Sequence, residues 1–190
     1  MVMTLYRMDD RPDAASKAAI ACTEEEAFAW NTPERAFGVF WTVNKFDGPR
    51  RKENLVKIKA WAVDIDDGTK AEQHALLRAS PLVPSMIVET RRGYQAYWGA
   101  VDGEARHWNA IVLERLVPRF GADKNARDLC RILRVPGFLH LKDPSSPFPV
   151  RLVWDHHVKY TERQIAEAFP WKPNLDEHRR QLDEAQRAAE

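Results

Sequence analysis

The residues best suited to bind a metal ion lie in one short segment, residues 61–68. Asp64 and Asp66 stand two residues apart in a run that is typical of a β-strand. Side chains alternate along a strand, so both carboxylates project from the same face, where they repel each other at neutral pH. A divalent cation between them would relieve that repulsion, and carboxylate oxygens suit Mg²⁺ or Mn²⁺. The alternative is a solvated strand end before a turn, with Asp67 and Gly68 belonging to that turn.

A third acid would complete a metal site for nucleotide chemistry. Asp123 is the first candidate, because it follows a helical segment and precedes a basic one. Asp128 competes with it, although a helical spacing of three residues would also let Asp128 pair with Arg131. Three carboxylates that hold two metal ions are an arrangement for nucleotidyl transfer, in which one ion activates a 3′-hydroxyl and the other neutralises the triphosphate.

Basic residues form local clusters, although the formal net charge of the whole chain is only +1. A surface that binds phosphate must therefore be local. The alternative for each cluster is a solvated face without a ligand. The clusters are Lys45, Arg50, Arg51 and Lys52; Arg91 and Arg92; and Arg127, Arg131, Arg134 and Lys142.

Capping signals and periodicity predict the elements that must position these residues. Capping boxes at Thr23 and Thr161, and a cap at Thr69, predict helices that run to about residues 30, 169 and 79. A long amphipathic helix is expected after a cap at Asp102, and Gly121 closes it. Strands are expected over residues 36–43, 60–66, 85–90, 94–100 and 149–154, with turns at 91–93 and 136–137.

Less regular segments complete the chain. Short helices are expected near residues 52–58 and 125–130, and residues 1–20 are expected to form a weakly ordered lead-in or a first helix. These elements sum to an α+β domain with an antiparallel or mixed central β-sheet that is flanked by helices. We expect this domain to cover residues 1–170. Residues 171–190 are expected to form a polar C-terminal helix, either a linker or the start of a further helical domain.

Composition excludes several classes of protein. No apolar run reaches the ~18 residues that a membrane helix needs, and the N-terminal residues lack the apolar core of a signal peptide. Cys22 and Cys130 lie far apart and form neither a zinc pattern nor a disulfide framework. We therefore expect a cytoplasmic protein that does not act at a membrane.

Three segments, in this order along the chain, resemble motifs of the archaeo-eukaryotic primase superfamily, and within it the RepB-like primases of plasmids and phages. Residues 62–66, Ala-Val-Asp-Ile-Asp, look like its strand-borne Asp-x-Asp motif. Residues 87–98 look like a hairpin motif whose usual form is Ser-Gly-x-His, and residues 121–123 look like the third motif. Residues 128–142 resemble the RepB-like signature Arg-x-x-Arg-x-Pro-Gly-x-x-Asn-x-Lys. The likeness covers about residues 36–155.

The resemblance implies an RRM-like primase core that makes or extends primers from nucleoside triphosphates on a single-stranded DNA template. It implies two ions, Mg²⁺ or Mn²⁺, on Asp64, Asp66 and Asp123, which would be the catalytic residues. A replicative helicase or a helical primase domain is a further expected partner. Contacts to the nucleotide or its phosphates are expected from Arg91, Arg92, Gln95, Arg131, Arg134, His140 and Lys142.

Two positions depart from the family pattern and keep a second hypothesis open. Gln95 stands where the hairpin motif has histidine, and it can donate a hydrogen bond but brings no charge; Arg91 or Arg92 could supply that charge. His140 stands where the signature has asparagine and could contact a nucleotide or simply fill the core. The second hypothesis is therefore a catalytically weak or inactive module of a replication initiator that binds nucleic acid.

A third hypothesis is a replication-initiator nuclease. That chemistry needs a His-hydrophobic-His pair and a tyrosine nucleophile on a helix, and the sequence offers neither in a suitable place.

Overall fold

The structure is a computed structural model that describes residues 4–124 and 128–171. Its strands are β1 (Leu5–Asp9), β2 (Ile20–Cys22), β3 (Phe37–Thr42), β4 (Lys45–Phe46), β5 (Leu55–Lys57), β6 (Ala60–Ile65), β7 (Met86–Glu89), β8 (Tyr94–Ala100), β9 (Ile132–Arg134), β10 (Leu139–His140), β11 (Phe148–Pro149), β12 (Arg151–Asp155) and β13 (Lys159–Tyr160). Its α-helices are α1 (Glu24–Trp30), α2 (Lys70–Arg78), α3 (Trp108–Ile111), α4 (Val117–Phe120) and α5 (Glu162–Ala168).

The larger sheet carries the Asp-x-Asp segment. Its order is β12-β7-β8, and β6 pairs with β8 on the side away from β7. These pairs are antiparallel, and their register places Gln95 of β8 between Asp64 of β6 and Val88 of β7. The short β13 pairs with the end of β8 in parallel, so the sheet is mixed. The expected α+β fold with an antiparallel or mixed sheet and flanking helices is confirmed.

The smaller sheet corrects the expectation for the N-terminal residues. Its order is β2-β1-β3-β9, and all of its pairs are antiparallel. The predicted lead-in or helix over residues 1–20 is therefore wrong, because residues 5–9 form β1. That strand pairs along its whole length with β3, from Leu5 opposite Trp41 to Asp9 opposite Phe37. Residues 5–9 form a strand because they pair with β3, which is remote in sequence, and a local sequence pattern does not show such a partner.

Helices cover one face of the larger sheet and build the main core there. Alternation along β6 buries Trp61, Val63 and Ile65 on this face. Trp98 of β8 joins them, and its ring centroid lies 5.2 Å from that of Phe120 in α4. Because successive side chains on a strand point to opposite faces, Asp64 projects to the face opposite Val63 and Ile65, toward the smaller sheet.

The long helix expected after residue 102 is less regular than predicted. It begins with a 3₁₀ turn at Ala105–His107 and has a π-helical turn at Val112–Leu116 between α3 and α4. Pro118 has no N–H for the carbonyl four residues earlier, which favours this irregularity. Gly121 ends α4 in the left-handed region at φ 59°, as expected. Asp102 does not cap this helix: its Oδ1 accepts a hydrogen bond from the N–H of Glu162, at the start of α5.

The other local predictions are largely confirmed. Thr23, Thr69 and Thr161 all form capping boxes at the starts of α1, α2 and α5. The short helix expected near 52–58 is instead a 3₁₀ turn at Lys52–Asn54 followed by β5. Residues 125–127 of the short helix expected near 125–130 fall outside the described residues, and residues 128–130 are not helical. The polar helix expected beyond 171 also lies outside them. None of the helices that the structure describes has the length and apolar content needed to cross a bilayer.

Candidate active site

Two of the predicted acids are brought together by a long-range backbone contact. Asp64 lies near the end of β6, and Asp123 lies just after Gly121 at the end of α4. The N–H of Asp123 donates to the carbonyl oxygen of Asp64 over 2.9 Å. Nη2 of Arg131 lies 3.1 Å from Oδ2 of Asp123 and 3.6 Å from Oδ2 of Asp64. One guanidinium thus bridges both carboxylates, because a single nitrogen atom of Arg131 lies within 3.6 Å of each of them.

The third acid, Asp66, lies one residue beyond the end of β6 and lines the same cavity as Asp64. Its Oδ2 lies 3.7 Å from Nη1 of Arg92, in the turn between β7 and β8. Burial raises the pKa of the Asp64 carboxyl, and the nearby charges of Asp66 and Asp123 raise it further, while Arg131 lowers it. The charges of Asp66 and Asp123 therefore act on Asp64. Arg131 lies beside Asp64 and Asp123, and Arg92 lies beside Asp66.

The donor chemistry fits a hard divalent cation. The three carboxylates offer only oxygen, the ligand that Mg²⁺ and Mn²⁺ prefer. The guanidinium of Arg131 also shows that the space between Asp64 and Asp123 accepts a cation. Within residues 4–124 and 128–171, no three His, Cys, Asp or Glu side chains converge closely enough to hold an ion as they stand. Joint ligation would need the three carboxylates to rearrange and Arg131 to leave, so the metal role of these acids stays a prediction.

A cavity of about 440 Å³ opens beside these acids, between the two sheets. The smaller sheet contributes Phe40 and Arg134, and the larger sheet contributes Asp64 and Gln95. Basic side chains reach the cavity from several loops: Lys17, Arg50, Arg92, Arg131 and Lys142. A cleft with carboxylates on one wall and cations around it suits a ligand that carries both phosphate and a divalent ion.

Arg134 reaches the cavity, but its charge is already balanced by Asp10. Nη2 of Arg134 lies 2.6 Å from Oδ1 of Asp10, and Nη1 lies 2.9 Å from Oδ2. The two side chains are only 8% and 2% exposed, and the guanidinium also lies over the ring of Phe40. Asp10 accepts a further hydrogen bond from the N–H of Leu141. The structure thus assigns Arg134 a buried ion pair, and its predicted contact with phosphate stays a prediction.

Gln95, which stands at the histidine position of the hairpin motif, is also engaged with the protein. It is buried, and its Oε1 accepts a hydrogen bond of 3.1 Å from the N–H of Arg134. Oε1 also lies 3.5 Å from the hydroxyl of Tyr97. Gln95 therefore joins β8 to β9 across the floor of the cavity, and its predicted contact with the nucleotide stays a prediction.

His140 lies at the cavity wall and is 4% exposed. Its Nδ1 accepts a hydrogen bond from the N–H of Arg91 over 3.4 Å, so in the neutral ring Nε2 carries the proton. Burial lowers the pKa of His140 to about 3, and the charge of Arg134 adds to this effect. The ring is therefore neutral at physiological pH. Its Nε2 is buried and has no hydrogen-bond partner among the described residues.

The remaining predicted cations divide into two groups. Arg92 and Lys142 line the cavity, and Arg131 bridges the acids. Arg91 instead turns away from the cavity: its guanidinium donates to the carbonyl and hydroxyl of Ser146 and lies 3.4 Å from Asp143. Of these two arginines, Arg92 lines the cavity and Arg91 does not, and the predicted triphosphate contacts of both stay predictions.

Several cavity residues were not predicted from the sequence. Asp10 was missed because residues 1–20 gave no clear strand pattern. Lys17 lies in the same segment, and Arg50 was noted only as a member of a basic cluster. Asp128, the competing third acid, lines the cavity, but its Oδ1 accepts from the N–H of Cys130, and Arg131 turns to Asp64 and Asp123 instead. For Asp10 and Lys17, the sequence offered no signal beyond a charged residue in a segment without a clear strand or helix pattern.

The fold is that of known primase domains. The structure superposes on the AEP domain of the primase-polymerase of cyanophage S-2L with a TM-score of 0.73, at 18% identity, covering 88% of this chain and 89% of that one. It also superposes on the catalytic domain of primase RepB′ in complex with initiator DNA, with a TM-score of 0.58 at 16% identity, covering 99% and 90%. The architecture around the cavity therefore defines a fold class, the one to which these primase domains belong.

The sequence itself places the chain within that class. It belongs to the family of the RepB DNA-primase N-terminal domain, whose model matches residues 47–170. A replication protein of Clostridium perfringens is 30% identical over 146 residues, which are 69% of this chain and 35% of that protein. The chain thus spans about a third of the length of this curated relative. The predicted resemblance to RepB-like primases is confirmed.

Proposed function

We propose that this primase domain joins nucleotides on a single-stranded DNA template by two-metal nucleotidyl transfer, initiating or extending primers in plasmid or phage replication. Asp64, Asp66 and Asp123 are the proposed ligands of two ions, Mg²⁺ or Mn²⁺. The observation that carries the proposal is the meeting of Asp64 and Asp123, remote in sequence, around one cation beside a basic cavity. Membership in the RepB primase family supports it.

The carboxylates and the basic residues of the site have separate proposed roles. The carboxylates would hold the cations, and these would supply activation of the 3′-hydroxyl for attack on the α-phosphorus and neutralise the charge of the pyrophosphate that leaves. Arg92 and Lys142, at the same cavity, bind phosphate oxygens; a guanidinium can do so through two parallel hydrogen bonds. Arg131 lines the same cavity, so it would be available to the triphosphate once cations took its place between the carboxylates.

The template and the helical partner belong to the same proposal. One of the solved structures with this fold is a primase bound to initiator DNA. In this chain, Lys17 and Arg50 line the cavity and offer charge for a phosphate backbone. A helical primase domain or a replicative helicase remains our proposed partner for starting primers on DNA.

The test is nucleotide incorporation by the purified chain on primed and unprimed single-stranded DNA, with Mg²⁺ or Mn²⁺ and with ribo- or deoxyribonucleotides in turn. We expect Asp64→Asn and Asp123→Asn to reduce incorporation at least about a hundredfold, because each removes a charged metal ligand worth several kcal/mol. Asp67→Asn is the matched control, since Asp67 is an exposed acid of the adjacent turn that does not line the cavity. Wild-type incorporation by both site variants would refute the proposal.

The second candidate function, a module that binds nucleic acid without catalysis, is favoured by one observation. Gln95 brings no charge to the hairpin motif, and its side-chain oxygen already accepts from the N–H of Arg134. Under this alternative the wild-type chain binds single-stranded DNA with strong salt dependence, yet incorporates no nucleotide with either metal. The same assay, run beside a DNA-binding titration, therefore separates the two functions.

A further inference from the structure

A buried glutamine on helix α2 lies behind the acidic site. Gln73 is 1% exposed, although glutamine is mostly found at protein surfaces. Burying an amide costs free energy unless its polar atoms find partners, and ordering a long side chain costs entropy as well. Leu77, one turn further along α2, shows that an apolar side chain is accommodated beneath the same helix. A polar residue at position 73 therefore points to specific bonds, and these are made by its Nε2, since its Oε1 is buried without a hydrogen-bond partner among the described residues.

The amide of Gln73 joins two turns of the chain. Its Nε2 donates to the carbonyl oxygen of Asp67 over 2.9 Å, in the turn that follows β6. The same Nε2 lies 3.4 Å from the carbonyl oxygen of Arg92, in the hairpin turn between β7 and β8. It also lies 3.5 Å from the carbonyl oxygen of Gly68. One side chain thus holds the backbones of both turns.

The two turns are packed together too closely for a side chain between them. A Cβ added to Gly93 would lie 1.9 Å from the carbonyl oxygen of Ile65 and 2.4 Å from Oε1 of Gln73. Gly93 therefore allows the hairpin turn to rest directly on the end of β6, with the Gln73 amide alongside. Movement of either turn would therefore displace the other.

Each turn carries one charged residue of the cavity. Asp66 lies one residue past the last ladder pair of β6, in which Ile65 faces Tyr94, so the sheet does not hold its carboxylate directly. Arg92 is likewise in the turn and not in a strand. These two side chains form the 3.7 Å ion pair at the cavity edge. Their relative position depends on the turns, and the Gln73 amide bonds the backbones of both turns.

We propose that Gln73 is a positioning residue that holds Asp66 and Arg92 in register for a divalent cation and the triphosphate bound with it. This inference rests on the proposed function of the site, but it concerns the backbone link between two turns. Gln73 acts through the carbonyl groups of Asp67 and Arg92 and does not touch the ligand. Its loss weakens metal and triphosphate binding at this edge, while Asp64 and Asp123, which are held by their own backbone bond, stay in place.

The variant that tests the link is Gln73→Met, which keeps the length and volume of the side chain and removes the amide. Leu77→Met is the matched control, because it is a buried, volume-conserving change on the same helix, away from both turns. We expect Gln73→Met to weaken Mn²⁺ binding to the nucleotide-free protein three- to tenfold, measured by electron paramagnetic resonance. We expect it to raise KM for the nucleoside triphosphate to a similar extent and to change kcat less than threefold. Leu77→Met leaves all three values unchanged.

A purely structural role predicts a different pattern. If Gln73→Met lowers the unfolding midpoint in urea but leaves Mn²⁺ affinity and KM at wild-type values, the positioning role is overturned. Mn²⁺ binding, and the hydrogen exchange described below, do not depend on turnover. They therefore test Gln73 even if the wild-type chain incorporates no nucleotide. Absence of incorporation would count against the proposed function and not against the role of Gln73.

A measurement on the wild-type protein keeps the inference testable if the variant does not fold. Because the turns are linked, Mn²⁺ should slow hydrogen exchange in both residues 66–68 and residues 91–93, although no metal ligand is proposed in the second turn. Protection that is confined to the first turn would overturn the link.

Discussion

Replacing Asp10 by asparagine removes the charge that balances Arg134 inside the cavity wall. The side chains of Asp10 and Arg134 are 2% and 8% exposed, so water can replace little of the solvation that the carboxylate gives to the arginine. Removing one partner of a buried ion pair typically costs about 3–5 kcal/mol. Asparagine keeps an oxygen that can still accept from the N–H of Leu141. We therefore expect Asp10→Asn to lower the free energy of unfolding by about 3 kcal/mol, at the lower end of that range.

Urea unfolding at pH 7, followed by tryptophan fluorescence, measures this loss. The matched control is Asp9→Asn, which breaks the ion pair of Asp9 with Arg11, whose side chain is 47% exposed. An exposed pair of this kind contributes about 1 kcal/mol or less. Arg134→Met in the Asp10→Asn background removes the unpaired charge, so the double variant should lose less stability than the sum of the single variants. If Asp10→Asn costs no more than Asp9→Asn, our account of the cavity wall is wrong.

Three further perturbations test the site and its supports. Arg131→Gln removes the cation that bridges Asp64 and Asp123, so we expect Mn²⁺ to bind the nucleotide-free protein several-fold more tightly; weaker binding in a titration would contradict competition between Arg131 and the metal. Gly93→Ala forces a Cβ to 1.9 Å from the carbonyl oxygen of Ile65, and a cost of at least about 2 kcal/mol should appear in thermal unfolding; a variant as stable as the wild type would contradict the close approach. His140, which Arg134, Lys142, Arg91 and Asp10 surround, has its pKa lowered by burial from 6.5 to about 3. The unfolded chain therefore binds the proton more readily, and stability that is full above pH 6.5 is lost as the pH falls toward 3, by about 2 kcal/mol at pH 5. In His140→Gln this loss between pH 7 and pH 5 should shrink by that amount in urea titrations.

The sequence was sufficient for those parts of the fold that depend on neighbouring residues. Helix starts at Thr23, Thr69 and Thr161 follow from capping chemistry within four residues. The burial of Trp61, Val63 and Ile65 on one face follows from the two-residue period of a strand. The hairpin of β7 and β8 follows from two strand patterns around a short turn. The ordered acidic and basic motifs also indicated the primase family correctly.

The tertiary structure alone decided which of these residues meet. β1 is a strand because β3 supplies its hydrogen bonds, and no local pattern records that partner. The carbonyl of Asp64 reaches the N–H of Asp123 across the fold, whereas Arg134 turns to Asp10 and Asp102 turns to α5. A buried charged side chain pairs with a group that offsets its desolvation cost, and packing between the two sheets decides which group is within reach. Residue types and spacing therefore determined the chemistry available to this protein, and long-range packing determined which groups can carry it out together.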